Sequence, residues 1–273
     1  MNECAQYKYL HNNKLKDVDK FRAENFRLGL SLYEVIRIVD TKAIFVEQHL
    51  LRLVSSAKQV GQYIWLDRDE LIEKINLVIK KNGVSEGNIK IVFNIHDNNR
   101  NFYCYFVHHK YPTKQEYQNG VRTVIYNAER SKPKAKVYNH KLRTFTNTII
   151  EDPEIFEVIL MDNLNHITEG SRSNLFFIKG EQLVTSPDDE VLNGIVRGKV
   201  IEICEKMGIP VLKEKIAYKR LSEFDSAFLT GTSRQILPVR KMDTISFKVN
   251  HHLLKQLLEA YRKEVRDYLD SNL

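Results

Sequence analysis

The chain is 273 residues long, 42% hydrophobic and 28% charged, with a formal net charge of +7 and a pI near 9.1. That is enough chain for a sizeable core in two modest domains, and the composition is that of a soluble globular protein rather than a disordered or fibrous one. No stretch approaches the roughly 20 apolar residues of a membrane span, and Lys and Arg are scattered along the chain, which argues against nucleic acid and favours small anionic partners.

Residues 1–28 are polar with scattered aromatics and offer few signals; with no apolar h-region, no signal peptide is expected. Leu30–Val39 is rich in β-branched residues and reads as a strand, followed by a turn at Asp40–Lys42 and a second short strand at Ala43–Val46. Glu47–Gly61 carries Leu50, Leu51, Leu53, Val54, Ala57 and Val60 at helical spacing and closes on a glycine, and Asp69–Lys81 is a second amphipathic helix. Ile89–Ile95 and Phe102–Val107 flank Asp97-Asn98-Asn99-Arg100 and read as a hairpin. These elements make an α+β domain over residues 1–116. Residues 111–120, polar with one proline and a final glycine, read as a linker, and a larger domain follows over 121–273.

The larger domain opens with a strand at Val121–Tyr126, a lysine-rich stretch at Ser131–Lys141 and a helix from about Arg143 to Glu151. Two apolar runs, Phe156–Met161 and Leu175–Ile178, then read as neighbouring strands joined by a polar turn that holds Glu169. Leu192-Asn193-Gly194 leads into a helix over Ile195–Met207, ended by Gly208. Ile209–Leu212 and Ser226–Leu229 read as strands, Thr230–Ser233 as a tight turn, and about His251–Leu269 as the last helix. Cys4, Cys104 and Cys204 have no metal-ligand spacing, so no metal is expected, and so sparse an odd count fits a reducing cytoplasm.

The stretch Thr168–Ile178 reads Thr-Glu-Gly-Ser-Arg-Ser-Asn-Leu-Phe-Phe-Ile. On residues alone, Glu169 is a turn carboxylate, and Lys132, Lys134, Lys136 and Lys141 form a solvated basic run. Yet Glu169–Phe176 resembles the signature of the fold-type IV pyridoxal-phosphate enzymes, which include branched-chain and D-amino acid aminotransferases and aminodeoxychorismate lyases. Four further segments resemble the same family in the same order. They are Ser31–Arg37, His49–Leu53, Leu192–Arg197, and Leu229–Ser233 with Pro238-Val239. The resemblance implies a two-domain α/β (α+β) architecture, with a small N-terminal domain, a larger C-terminal one and pyridoxal 5'-phosphate between them.

It also implies roles. Glu169 meets the cofactor's pyridine nitrogen and keeps it protonated, which makes the ring a better electron sink. Lys136, at the head of Lys136-Val-Tyr-Asn139 and 33 positions before Glu169, matches the Schiff-base lysine, with Lys141 as runner-up. Arg52 matches the phosphate-binding arginine. The backbone of Ile195 and Val196 at a helix start suits an anion, and Thr232 adds a hydroxyl; many relatives have threonine where Val196 stands. Leu192 packs on the ring, and Asn139 and His140 follow the lysine near the phenolic oxygen. Tyr33, Arg172, Ser233 and Arg234 face the substrate. The arginines suggest a substrate with two carboxylates, since buried guanidinium wants a counter-charge. His96 and Arg100 lie in the wrong order for the carboxylate trap of D-amino acid enzymes.

The expectation is a homodimeric transaminase that moves an amino group between an L-branched-chain or related amino acid and a 2-oxo acid such as 2-oxoglutarate. A D-amino acid aminotransferase comes second and an aminodeoxychorismate lyase third. The alternative from a different class is a non-catalytic relative of the fold or a basic nucleic-acid-associated protein.

Overall fold

The computed structural model describes residues 3–26 and 28–271. The chain forms two compact units. Unit 1 comprises Met1–Lys110, Ala135–Tyr138 and Tyr268–Leu273; unit 2 comprises Tyr111–Lys134 and Asn139–Asp267.

Unit 1 is built on a six-stranded antiparallel sheet. Its strands are β1 (Lys8–His11), β2 (Lys14–Asp17), β3 (Leu30–Val39), β4 (Lys42–Ala43), β5 (Gly87–His96) and β6 (Asn99–Phe106), in the order β2-β1-β6-β5-β3-β4. Two helices, α1 (Val46–Gln59) and α2 (Arg68–Asn82), join β4 to β5. The expected strand at Ala43–Val46 stops at Ala43, because Phe45 takes a left-handed conformation (φ 53°) and Val46 already begins α1. Asp97 and Asn98 both have positive φ, 48° and 63°, so β5 and β6 close through the two-residue turn whose twist matches the strands.

Side chains alternate across these strands. Leu32, Ile36, Ile91, Phe93, Phe102 and Cys104 face the helices and join the main core of the unit, with Leu53 of α1 and Ile75 of α2. Tyr33, Val92, Tyr103 and Tyr105 point the other way and pack with Phe21 and Phe26. The N-terminal stretch, uninformative as sequence, thus forms a hairpin (β1–β2) and an aromatic lid over the second face. Residues 135–138 add to the edge of this sheet: Tyr33 N–H donates to Lys136 O (3.2 Å), Tyr138 N–H donates to Ser31 O (2.9 Å), and Leu32 bridges Val137.

Unit 2 holds a mixed sheet with β7 (Val121–Asn127), β8 (Glu157–Met161), β9 (His166–Gly170), β10 (Asn174–Lys179), β11 (Gln182–Thr185), β12 (Val211–Lys213), β13 (Ile216–Ala217), β14 (Ser226–Gly231), β15 (Gln235–Met242) and β16 (Ile245–Ser246). The order is β12-β11-β10-β14-β15-β7-β8-β9-β13, with β16 paired to β15. Its helices are α3 (Lys114–Asn119), α4 (His140–Ile150), α5 (Ile195–Met207) and most of α6 (His252–Ser271), whose residues from Tyr268 on count with unit 1. Where the sequence suggested a plain linker, α3 forms on a capping box: Thr113 Oγ1 accepts from Glu116 N–H, and the Glu116 carboxylate accepts from Thr113 N–H.

The two apolar runs flanking Glu169 are not neighbours, contrary to expectation. β8 pairs with β7 and β9, whereas β10 pairs with β11 and β14. The cause is a tight turn at Asp162–Asn165. Asp162 Oδ1 accepts from Leu164 and His166 N–H, and Asn165 turns left-handed (φ 61°), so the polar run His166–Gly170 becomes a strand hairpinned onto β8. Glu169 therefore lies on a strand. Among the described residues no helix is long and apolar enough to cross a membrane.

Candidate active site

In unit 1 the chemistry-bearing residues lie on β3, α1 and the 135–138 segment. Lys132, Lys134 and Lys141 are exposed, whereas Lys136 is half-buried. Its backbone N–H donates to the buried Ser56 Oγ of α1 (3.1 Å), and its ammonium lies 4.9 Å from the centre of the Tyr33 ring. The β3 ladder thus selects one lysine from the basic run and places it beside Tyr33.

Tyr33 and Glu34 are adjacent on β3 and so face opposite sides of the sheet. Glu34 is fully buried and receives Arg52 Nε (2.7 Å), Arg52 Nη2 (2.6 Å) and His49 Nδ1 (2.8 Å). Burial alone would raise the Glu34 pKa; the Arg52 charge and these hydrogen bonds outweigh it and hold the carboxyl at about 2. His49 shifts down, because its burial outweighs the pull of Glu34. Arg52 therefore has a fixed orientation and a carboxylate partner already in place. Sequence reasoning missed Glu34 and His49, although both stand inside the motifs it singled out.

In unit 2 the centre is Glu169, 3% exposed on β9. Its Oε2 accepts from Asn174 Nδ2 (3.0 Å) and Leu192 N–H (3.2 Å), and its Oε1 lies 2.7 Å from Arg130 Nε. Arg130 also donates through Nη2 to Ser171 O (2.7 Å), and Asn174 Nδ2 to Leu192 O (2.7 Å). Asn174 thereby ties the strand after Glu169 to the loop before α5. A Cβ on Gly194 would sit 2.0 Å from Asn174 Oδ1, so this close approach needs glycine. Arg130 was not foreseen; it lies beyond every motif, at the edge of a basic run.

Helix α5 begins with Gly194 as N-cap, has no side-chain cap and has no acid in its first turn. Ile195 and Val196 occupy that turn, where backbone N–H groups lack helical acceptors. Arg197, next in line, is tied back to Asp188 (2.7 Å) and Ser186 O (2.8 Å). Thr232, Ser233 and Arg234 form the loop between β14 and β15, closed by the Gly231–Gln235 pair.

Several expected substrate and cofactor contacts are engaged otherwise. Arg234 Nη2 pairs with fully buried Glu157 (2.9 Å), and its guanidinium lies over the Phe156 ring. The guanidinium that was to await a substrate anion already has one, supplied by the start of β8. Glu157 also accepts from Ser171 Oγ (2.5 Å), which fixes the turn after Glu169. Arg172 is exposed and bonds the Asn147 side chain. Asn139 caps α4, its Oδ1 accepting from Leu142 N–H (3.1 Å), and His140 is exposed with Nδ1 3.4 Å from Thr144 Oγ1. The helix starts three residues earlier than expected because Asn139 supplies that cap.

These residues suit a phosphorylated, ring-nitrogen cofactor. An uncapped helix start takes a phosphate, a buried carboxylate takes a protonated ring nitrogen, and a half-buried lysine takes an aldehyde. Thr230 Oγ1, at the end of β14 against which α5 packs, is buried with no hydrogen-bond partner among the described residues, so a hydroxyl too is left for a ligand.

Two sheets with these motif turns define an enzyme of the fold-type IV architecture. The sequence pattern of the class IV amino-transferase family matches residues 31–242, and the chain belongs to that family, whose members work with pyridoxal 5'-phosphate. It is 24% identical over 252 residues to a probable branched-chain-amino-acid aminotransferase of Rickettsia conorii, covering 87% of each chain. It is 25% identical over 265 residues to a D-alanine aminotransferase of Bacillus licheniformis, covering 86% of this chain and 88% of the other. The crystal structure of the Escherichia coli branched-chain amino acid aminotransferase superposes with a TM-score of 0.84 over 96% of this chain and 95% of the other; at 22% identity that likeness is one of fold.

Proposed function

We propose that the chain transfers an amino group between an L-branched-chain or related amino acid and a 2-oxo acid such as 2-oxoglutarate, with a D-amino acid donor as the second reading. The observation that carries it is Lys136: of four clustered lysines, this one is held on β3 beside Tyr33 and is half-buried. A lysine held in place beside an aromatic ring is positioned for covalent chemistry rather than left to roam in solvent.

Pyridoxal phosphate, when bound, supplies the electron sink that makes the α-hydrogen of an amino acid acidic. Lys136 would hold it and would carry the α-proton on Nζ. Glu169, paired with Arg130 and oriented by Asn174, would meet the ring nitrogen. Arg52, aimed by Glu34, and the N–H groups of Ile195 and Val196 are the groups that would hold a phosphate, with Thr232 adding a hydroxyl. Leu192 would flank the ring; Tyr33 and Ser233 would line the substrate side, and Arg172 would meet the substrate from solvent. The working form is a homodimer. Leu51 and Val54 on the outer face of α1, 71% and 42% exposed, support that reading as apolar surface in want of cover.

The test is a pair of variants loaded with pyridoxal phosphate. Lys136→Ala should lose the visible absorbance of the lysine-linked cofactor and all turnover, and Lys141→Ala should keep both. The reverse pattern would move the anchor into α4 and sink the reading.

A further inference from the structure

Glu157 is the first residue of β8 and is fully buried. Its two oxygens serve different segments of the chain. Oε1 accepts from Ser171 Oγ (2.5 Å) and from the N–H of Val158 (3.2 Å). Oε2 accepts from Ser173 Oγ (3.3 Å) and lies 2.9 Å from Arg234 Nη2. Ser171 and Ser173 belong to the turn that follows Glu169, and Arg234 belongs to the loop between β14 and β15 that carries Thr232 and Ser233. One carboxylate thus stands between two motif turns of unit 2.

The two turns are packed together as well as bonded. A Cβ on Gly170 would lie 2.1 Å from Ser173 Oγ and 3.3 Å from Glu157 Cγ, so the residue after Glu169 is pressed against this cluster. A Cβ on Gly231 would lie 3.7 Å from Arg172 O and 3.9 Å from Ser173 Cβ, which puts the end of β14 within van der Waals reach of the same turn. Strand register sets that approach, since Asn174 of β10 pairs with Thr230 of β14. Arg234 is held at its backbone and at its side chain. Its carbonyl accepts from Tyr117 OH (2.9 Å), and its guanidinium lies 5.4 Å from the centre of the Phe156 ring. Turning Arg234 towards a substrate carboxylate would strip Glu157 of its cationic partner and leave a buried charge held by hydroxyls and one amide, which is costly.

A buried ion pair adds little net stability over an apolar pair of similar volume, because both charges lose their hydration. Its effect is directional instead. A charged hydrogen bond is short and aligned, whereas apolar side chains slide past one another. Such alignment matters where groups must be held within about 0.5 Å to act together. Glu169 is assigned to the ring nitrogen, Thr232 to the phosphate and Ser233 to the substrate, and the turns that carry them meet at Glu157.

We propose that Glu157 is a positioning residue for the reaction, and that its ion pair with Arg234 locks the Thr232–Ser233 loop against the turn after Glu169. The proposal rests on the reading of Glu169 and Thr232 as cofactor ligands. Glu157 acts through Ser171 and Ser173 on one side and through Arg234 on the other. Arg234 then sets the loop rather than reading the substrate, so its loss weakens acidic and apolar substrates alike.

Holoenzyme variants Glu157→Gln, Arg234→Met and the double variant test it, read by pyridoxal-phosphate titration, by KM and kcat for leucine and glutamate, and by thermal melts. Glu157→Gln keeps the shape but sets an amide N–H against the guanidinium, so cofactor affinity should fall about tenfold, on the scale of one charged hydrogen bond. Arg234→Met should raise KM about tenfold for leucine and glutamate alike, with a smaller change in kcat. In the double variant each readout should be no worse than in the poorer single one, because both substitutions break one linkage. A loss confined to glutamate in Arg234→Met would make Arg234 a substrate ligand and overturn the proposal. Losses that multiply in the double variant would also overturn it, as would melts that fall while cofactor affinity and KM stay at wild-type values. Ser171→Ala takes one hydroxyl from the carboxylate and keeps the test open where Glu157→Gln does not fold. It should weaken cofactor binding several-fold, and unchanged binding would count against Glu157 in the same way. Wild type without lysine-linked absorbance would defeat the proposed function itself. Wild-type absorbance and turnover, with variants that match it in affinity and KM, would defeat this inference alone.

Discussion

Glu34 is fully buried and charged, a combination that survives only because its neighbours are arranged for it. Arg52 offers two nitrogens to the carboxylate and His49 a third. The resulting pKa, about 2, stands below the ordinary 4.5. A depressed pKa adds stability that is complete above the unfolded value and is lost as pH falls towards the folded one. The difference corresponds to about 3 kcal/mol. Glu34→Gln should therefore destabilise the protein by that order near neutral pH in denaturant unfolding, and the gap to wild type should close between about pH 4.5 and pH 2. A gap that ignores pH over that window would show that shape rather than charge holds Arg52. Arg234 shows why such partners escape a sequence reading. The motif places the arginine, but its counter-ion Glu157 comes from a strand that begins far upstream, and no local pattern links the two.

At the scale of elements, the start of α5 shows a glycine chosen for space. Gly194 has an ordinary φ of −65°, so its conformation would admit any residue. What excludes a side chain is Asn174, whose Oδ1 lies where a Cβ would go. Gly194→Ala should push Asn174 off Glu169 and Leu192 and weaken pyridoxal-phosphate binding by about tenfold or more, the scale of a displaced charged hydrogen bond. Gly198→Ala, in the same helix with open space around it, should instead stabilise by about 0.5–1 kcal/mol through the better helix former. Equal effects at both sites, in cofactor titration and thermal melts, would refute the close-approach argument. Helices such as α1, α2 and α5 were legible because an amphipathic period and a closing glycine are local signals. The β1–β2 hairpin and the Ala135–Tyr138 edge were not, since their residues become strand-like only by pairing with β6 and β3. Glu169 was singled out through its motif, but its strand was hidden in a run too polar to look like one.

For the whole molecule, the proposed homodimer predicts a mass by light scattering of about twice the 32.1 kDa chain, and Leu51→Glu with Val54→Glu should shift it towards monomer. Full activity as a monomer would remove the second chain from the account. The membership of Ala135–Tyr138 in unit 1 bears on recombination. Residues 1–110 form one contiguous block of that unit, an obvious cassette for exchanging substrate preference with a relative. Such a chimera would import the neighbours of Tyr33 from one parent while Lys136 and its edge strand came from the other. The lysine would then face a β3 strand it was not selected against, and activity would depend on how well two lineages agree at Ser31, Leu32 and Tyr33.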